Sequence, residues 1–472
     1  MDMQGLRINV FQDWMEDCQA AAPNCPEVRK MRKMTSMSRH LSYGEQNPSV
    51  LNVDRLSSLP WGIMNKIFGK MTIVDAVKTS VLAKSWRYKW LSCSDFSLDS
   101  GAISRMLSRG DLKSDVVTSI INRFLLHHTS SIRSFSLKTC FRGRHSDMYQ
   151  WIQYLSKQDV EVLVIRELDY KVLFKMPSYV FAFEKLKSLS LTNCALQIPS
   201  TFGRFNWMEQ ILLRNVSISD GDLARLILSC PLLEKLTLLN ICGLVQLKIY
   251  APRLTALMID TGYEDIFIKG APCLFVVSIA TNFKEPGDMP IVHWHSVIHC
   301  LNSLGSLHTL SLSGEFIKVL ADDYGLDYLP LKNGAVKSLT LHDLRFESIK
   351  IFRVCLSLLS TCHNIKHLRL YIEAAKGAKM AAQFFKENQG QFCFTELETF
   401  TVICPSYIGM GSSVNFIDFV ITHCPNLKFL TIEKGGDIGL NNGRVSSMLH
   451  RFRMSCPNAI VFYEQDGKLT SL

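Results

Sequence analysis

His293, Trp294, His295 and His299 form the nearest approach to a chemical motif in the sequence. On a helix, His295 and His299 would share one face, the spacing of a two-histidine metal pair. A metal site needs further ligands, and nothing close by supplies them. Surface or partly buried imidazoles are therefore the better reading, and no metal is assigned. The fifteen cysteines are odd in number, scattered, and contain no C-x-x-C pair. They read as buried thiols packing as small hydrophobes in a reducing compartment. The chain holds no G-x-x-x-x-G-K-[ST], G-x-S-x-G, H-E-x-x-H or strand-coupled G-x-G-x-x-G, and Gly409-Met410-Gly411 is too short to count. No catalytic residue and no cofactor is assigned, and the chain reads as a non-enzyme.

Composition and charge narrow the remaining classes. The chain has 472 residues, 47% hydrophobic and 20% charged, enough to bury a large core. No run of about 18 apolar residues exists, which argues against a membrane span. Asp13, Glu16 and Asp17 interrupt the stretch where a signal peptide would lie, so an intracellular protein of cytoplasm or nucleus is expected. Of the net charge of +10, residues 101–145 supply +6: Arg105, Arg109, Lys113, Arg123, Arg133, Lys138, Arg142 and Arg144 against Asp111 and Asp115. Such a stretch could meet a phosphate backbone or an acidic protein. It lacks the interleaved aromatics of single-strand binders, and a solvated basic flank is the favoured reading.

The elements that would position any site come from a repeat. An apolar pattern Φ-x-x-Φ-x-Φ recurs as Ile132/Phe135/Leu137, Val160/Leu163/Ile165, Leu186/Leu189/Leu191, Met208/Ile211/Leu213 and Leu233/Leu236/Leu238. It continues as Leu254/Leu257/Ile259, Leu274/Val277/Ile279, Leu307/Leu310/Leu312, Val336/Leu339/Leu341, Ile365/Leu368/Leu370, Leu397/Phe400/Val402 and Leu427/Leu430/Ile432. Starts lie 20 to 33 residues apart, which brackets the leucine-rich-repeat period of one short strand and one return segment. Three residues before a start stand Cys230-Pro231, Ala251-Pro252, Ala271-Pro272 and Cys424-Pro425. Cys362 keeps the offset alone, and Cys456-Pro457 opens one more shortened copy. Proline neither continues a helix nor donates to a ladder, so it punctuates the chain ahead of each strand. Cys140 and Cys194 fall three residues after a last apolar position, where the repeat wants Asn or Cys to bond the turning backbone.

Short gaps after the copies at 233 and 254 predict extended returns. Leu223/Leu226/Ile227 and Ile351/Val354/Cys355, at i, i+3, i+4, predict helical ones. Residues 281–296 and 371–395 break the pattern; the second inserts a helix, either beside the binding face or as a tolerated extra length. Residues outside the apolar positions form the face open to a partner. They include Ser188, Ser190, Gln210, Leu212, Lys235, Thr237, Ala256 and Met258, then Val276, Ser278, Thr309, Ser311, Thr340, Arg369, Thr401 and Thr431. This mostly small, uncharged surface suits a protein or a composite small-ligand pocket better than a phosphate backbone.

Residues 1–53 read as a flexible tail in which Arg29-Lys30-Met31-Arg32-Lys33 could be a nuclear signal. Periodicity begins at Asp54: Pro60 suits a first helical position, and Ile63, Met64, Ile67, Phe68 and Met71 form one stripe. Val74, Val77, Val81, Leu82, Trp86 and Trp90 follow. About 45 residues with so wide an apolar surface must pack on the first repeat or face another protein.

Asp54-Arg55-Leu56-Ser57-Ser58-Leu59-Pro60, Asp75-Ala76-Val77-Lys78-Thr79-Ser80-Val81-Leu82 and Trp86-Arg87-Tyr88-Lys89-Trp90 resemble the F-box of plant F-box/leucine-rich-repeat proteins. The C-P-x-L and A-P-x-L turns ahead of the strands resemble the same family, and the end of the chain is similar to its FBD-type ending. The resemblance implies an α/β chain, a small three-helix F-box followed by a curved leucine-rich-repeat solenoid. The F-box would span 54–98, a basic linker and start of the solenoid 99–131, the repeats 132–396, and FBD-like C-terminal repeats 397–472. It also implies a non-catalytic adaptor of a Skp–cullin–F-box ubiquitin ligase, joined through a Skp-type linker to a cullin scaffold and holding an unknown substrate protein. By position, Leu59, Pro60, Ile63, Met64, Ile67 and Phe68 match first-helix contacts to the linker, and Val81, Leu82, Trp86 and Trp90 match later apolar positions. Ser85, Met64 and Phe68 depart from the usual Arg and Leu, which implies weakened docking. A scaffold that recruits no ligase is the alternative, with nucleic-acid binding behind it.

Overall fold

A side chain two residues from its neighbour along a strand returns to the same face, so Φ-x-Φ at the end of each copy aims two apolar groups at one core. The computed structural model bears this out. It describes residues 59–68, 71, 73–79, 86, 88–99, 114–140, 145–169, 173–280, 294–323, 331–373, 381–388, 390–404, 411–434, 442–465 and 468–471. All thirty-six apolar positions of the twelve copies are buried, none more than 4% exposed. The chain divides into two compact units, residues 1–193 and 194–472.

The first unit opens with α1 (Trp61–Phe68) and α2 (Ile73–Lys78), then a 3-10 turn at Lys89–Ser92. It continues through β1 (Asp95–Asp99), α3 (Ser114–His127), β2 (Ser134–Thr139), α4 (His145–Leu155), β3 (Val162–Glu167), the two-residue β4 (Phe174–Lys175) and β5 (Ser188–Ala195). β1, β2, β3 and β5 pair in parallel, with Phe96, Phe135, Leu163 and Leu189 in one row and Leu98, Leu137, Ile165 and Leu191 in the next. The ladder therefore begins one strand before the first copy read from the pattern. Phe96 packs between Phe124 of α3 and Phe135, with centroids 4.4 and 5.0 Å away.

The second unit runs β6 (Gln210–Ser217), α5 (Asp220–Leu228), β7 (Lys235–Leu239), β8 (Gln246–Tyr250), β9 (Ala256–Asp260), β10 (Asp265–Lys269), β11 (Val276–Ala280) and α6 (Trp294–Ser303). There follow β12 (Thr309–Ser313), α7 (Gly314–Asp323), β13 (Ser338–Leu344), α8 (Ile349–Thr361), β14 (His367–Ile372), α9 (Ala381–Glu387), β15 (Thr399–Cys404) and α10 (Gly411–Thr422). The unit closes with β16 (Phe429–Lys434), α11 (Asn442–Ser455), β17 (Ile460–Gln465) and β18 (Lys468–Ser471). Its strands β6, β7, β9 and β11 to β17 lie side by side in parallel, and β18 turns back antiparallel. Each parallel step is a right-length return over helix or strand, the reason parallel pairs need long connections.

The returns divide as their lengths require. Leu223, Leu226 and Ile227 are buried on α5, and Ile351, Val354 and Cys355 on α8. The short returns after the copies at 233 and 254 are β8 and β10, a separate two-stranded parallel sheet. In the 371–395 break, α9 places Phe385 against Phe352 of α8 and Phe416 of α10, at 5.1 and 6.3 Å. It is thus an ordinary return helix in the helical layer and lies away from the open sheet face. The other break, 281–296, lies almost wholly outside the described residues.

The Cys/Ala-Pro pair has a geometric role. Leu233 N–H donates to the Cys230 carbonyl at 3.1 Å, Leu254 to Ala251 at 3.1 Å, Leu274 to Ala271 at 3.2 Å and Leu427 to Cys424 at 3.3 Å. Each is a four-residue turn with proline second, where its fixed φ suits a tight turn and its missing N–H is not needed. Leaving the strand, Asn193, Asn215, Asn240 and Asp343 take φ of 59, 51, 50 and 52°, each two residues after a last apolar position. Asn tolerates this left-handed region better than other side chains. Asn193 Nδ2 donates to the Glu167 carbonyl at 2.6 Å, and Asn240 Nδ2 to Asn215 Oδ1 at 2.7 Å, so each turn is tied to its neighbour.

Of the thirteen described cysteines, nine are buried, and all thirteen are free thiols. Burial pushes Cys194, Cys230 and Cys404 up to about 12. Cys230 also donates to the Leu226 carbonyl at 3.1 Å. These thiols are expected to resist maleimide at neutral pH, because the thiolate is the reactive form. In the native protein Cys273 and Cys393, both exposed, should be labelled before any buried thiol. Peptide mapping of a timed alkylation checks this, and early labelling of Cys194 or Cys230 would contradict the core described here.

One expectation about the sheet needs correction. Ser190, Thr237, Ala256, Met258, Val276, Ser278, Ser311 and Thr340, expected on an open face, are between 2 and 7% exposed. Neighbouring strands stand about 4.8 Å away on both sides, so small side chains in a continuous parallel row are covered by their in-register partners. Ser188, Gln210, Leu212, Lys235, Thr309, Arg369, Thr401 and Thr431 keep appreciable exposure.

Candidate docking module and sheet face

Pro60 starts α1: its carbonyl accepts the Ile63 and Met64 N–H groups at 2.9 and 3.2 Å. The predicted stripe then divides between two jobs. Met64, Phe68, Trp86 and Trp90 are buried, with Phe68 against Trp86 at 5.9 Å and Trp90 stacked on Phe124 of α3 at 6.3 Å. Pro60 and Ile63 are exposed, and Leu59 and Ile67 are half-exposed. The helical segment thus packs on α3 through Trp90 and on itself through Trp86, while offering its α1 edge outward. Val81 and Leu82 lie outside the described residues. Two exposed apolar residues, Val77 and Tyr88, extend the outward set beyond the residues matched to linker contacts from sequence. Their signal was available, since Val77 lies on the α2 stripe and Tyr88 between two tryptophans.

The basic stretch 101–145 is described only in part. Lys138 pairs with Asp99 at 2.9 Å, Arg133 donates to Ser94 Oγ at 3.2 Å, and Arg123 is exposed. His299 is exposed on α6, and the side chains of His293 and His295 lie outside the described residues. Among the described residues no group of three His, Cys, Asp or Glu could hold a metal, and no helix is long and apolar enough to cross a membrane.

In the second unit the open face of the sheet is built by register. One row runs Thr237, Met258, Ser278, Ser311, Thr340, Arg369, Thr401, Thr431 and Phe462. The final copy is one residue short: Val461, in place of Phe462, pairs with Leu430 and is buried. A one-residue slip reverses both faces of a strand, so Phe462 and Ile460 turn outward. Phe462 stacks on Phe429 at 6.1 Å, and Phe429 and Ile460 are 40 and 49% exposed. Three strands from β16, on β13, His342 bonds Ser311 through Nε2 and lies 4.9 Å from the Tyr371 ring. Burial, aided by the Arg369 charge, pushes His342 down to about 3, so it is neutral at physiological pH.

A sheet of in-register copies, four of them led by a Cys/Ala-Pro turn and four left by a left-handed Asn or Asp turn, has the pattern of leucine-rich repeats. The family model for the leucine-rich repeats of FBD-associated F-box protein At5g56370 matches residues 148–319. F-box/FBD/LRR-repeat protein At1g13570 of Arabidopsis thaliana is 28% identical over 427 residues, 88% of this chain and 99% of that protein. F-box/LRR-repeat protein At5g02910 of the same plant is 25% identical, over 64% of this chain and 69% of its own. The chain is thus similar to the plant F-box/FBD/LRR-repeat proteins, the family that the motifs from Asp54 onward resemble.

Proposed function

We propose that the chain is a non-catalytic substrate-recognition subunit of a Skp–cullin–F-box ubiquitin ligase, working in cytoplasm or nucleus. Its N-terminal helices form a three-helix F-box that docks a Skp-type linker, and its repeats form a curved solenoid that holds the protein to be ubiquitinated. One observation carries this reading: a short helical segment ahead of the repeats keeps Pro60, Ile63, Val77 and Tyr88 in solvent while burying Met64, Phe68, Trp86 and Trp90. Exposed apolar groups on so small a module suit a protein contact. In this reading Leu59, Pro60, Ile63 and Ile67 touch the linker directly. Met64, Phe68, Trp86 and Trp90 hold the helices that present them.

Replacing Leu59 and Pro60 together with Ala is expected to weaken recovery of a Skp-type linker by about thirtyfold, the cost of losing about 2 kcal/mol at an interface. The substitution leaves the carbonyl of residue 60 in place for the first turn of α1. Unchanged recovery in a pull-down from plant extract would sink the assignment. The burial of Met64, Phe68, Trp86 and Trp90 favours one second reading, a scaffold whose reduced apolar edge recruits no ligase. Failure of the unaltered chain to recover a linker would select it.

A further inference from the structure

We propose that the sheet face over β14 to β17 recognises an extended acidic peptide segment of the bound protein, seating one carboxylate on Arg369 and one large apolar side chain against Phe429, Ile460 and Phe462. Only the identity of the occupant, a protein held for presentation, rests on the adaptor reading.

The cations around this face separate into two groups. Lys366 and Lys428 both bond Glu398, at 2.9 and 2.7 Å, and hold that carboxyl down to about 2. Arg345 is paired with Glu373 at 2.5 Å, and Arg451 with Asp418 at 2.6 Å. Arg369 has no hydrogen bond or ion pair with any described residue. It is nevertheless half-buried, in register between Thr340 and Thr401, with neutral His342 and exposed His367 near its charge. A guanidinium partly withdrawn from water and left without an acceptor is a site for a planar anion, which it binds through two parallel N–H donors.

The apolar half of the surface lies close by. Phe429 is two strands from Arg369 and two residues earlier in register, a separation of about 12 Å from strand spacing and rise. An extended peptide spans that distance between residues four apart on one side. Between the two points the floor is Thr399, Thr401 and Thr431, hydroxyl-bearing and uncharged. A single cation beside exposed aromatics does not suit a phosphate backbone, whose binding draws on several basic groups. It suits one carboxylate and one hydrophobic anchor.

The test uses the full chain and a labelled peptide with one Glu and one Phe four positions apart in a Gly/Ser background. Fluorescence anisotropy should show this peptide bound about tenfold more tightly than its Glu→Lys counterpart. Arg369→Ala should abolish that preference, Arg369→Lys should keep part of it, and Phe429→Ala should weaken both peptides alike. Retained circular dichroism shows that the variants are folded. The inference is overturned if the two peptides bind equally, if neither binds at millimolar concentration, if oligothymidine of equal length competes as well, or if Arg369→Ala changes nothing. Linker recovery separates the two claims. Arg369→Ala should leave it intact, and its failure in the unaltered chain would remove the adaptor reading while leaving the peptide preference standing.

Discussion

Phe352→Ala is expected to destabilise the second unit by about 4 kcal/mol, the largest single effect in this protein. Phe352 of α8 is fully buried, stacked on Phe346 at 4.6 Å and 12°, beside Phe416 of α10 at 5.9 Å and against Phe385 of α9 at 5.1 Å. Truncation removes a large ring from the point where three return helices meet. The surrounding rings are fixed by their own repeats and cannot all close inward, so a cavity adds to the lost transfer energy. Because total stability of a domain is about 5–15 kcal/mol, the variant should lose much of it. Phe352→Leu, which keeps most of the volume, should cost well under half as much. Urea unfolding followed by circular dichroism measures both, and a loss below about 1 kcal/mol for the alanine variant would mean that the three helices do not share a core.

Gly314→Ala should cost about 3 kcal/mol, although the change adds only one methyl group. A Cβ at Gly314 would stand 2.2 Å from the Asp343 carbonyl oxygen and 2.8 Å from its carbon. These are backbone atoms, and Asp343 is itself held at φ 52° in the left-handed turn that ends the apolar run of β13. Neither side can yield cheaply. α7 begins at Gly314 directly after β12, with Phe316 N–H donating to Ser313 Oγ at 3.2 Å, so the helix start is pinned as well. Gly305→Ala is the matched control, since nothing lies within 4 Å of its Cβ position. Equal urea midpoints for the two variants would show that β12 and β13 do not approach as described.

Much of the ladder could be read without coordinates. The Φ-x-x-Φ-x-Φ positions are core because a fixed offset inside each copy puts them on one face in every strand. Gap length separated strand returns from helical ones for physical reasons too, as the residues after 233 and 254 are too few for a full helix. The stripe on α1 was legible as a stripe, whereas its division was not. Whether Met64 or Ile63 faces solvent depends on where Trp86 and Trp90 return, and both tryptophans are more than twenty residues away along the chain. β1 was missed for a related reason: Phe96 and Leu98 make a strand only because β2 lies beside them.

What the amino-acid order determined by itself is therefore local and periodic: the repeat, its proline turns, the apolar core positions and the family resemblance of the N-terminal segment. The tertiary structure alone decided which polar positions see water. Burial of Ser278, Ser311 and Thr340 follows from neighbours on both sides, contributed by copies about twenty to thirty residues before or after them. It decided, too, that Val461 would face inward and Phe462 outward, since that choice is made by pairing with Leu430 against the offset from Cys456. Arg369 acquired its setting in the same way. Its own strand says only that it is an outward position, while the lack of a paired carboxylate among the described residues follows from β13 and β15 brought into register beside it, because a charge is compensated by what is near it in space and not by what is near it in sequence.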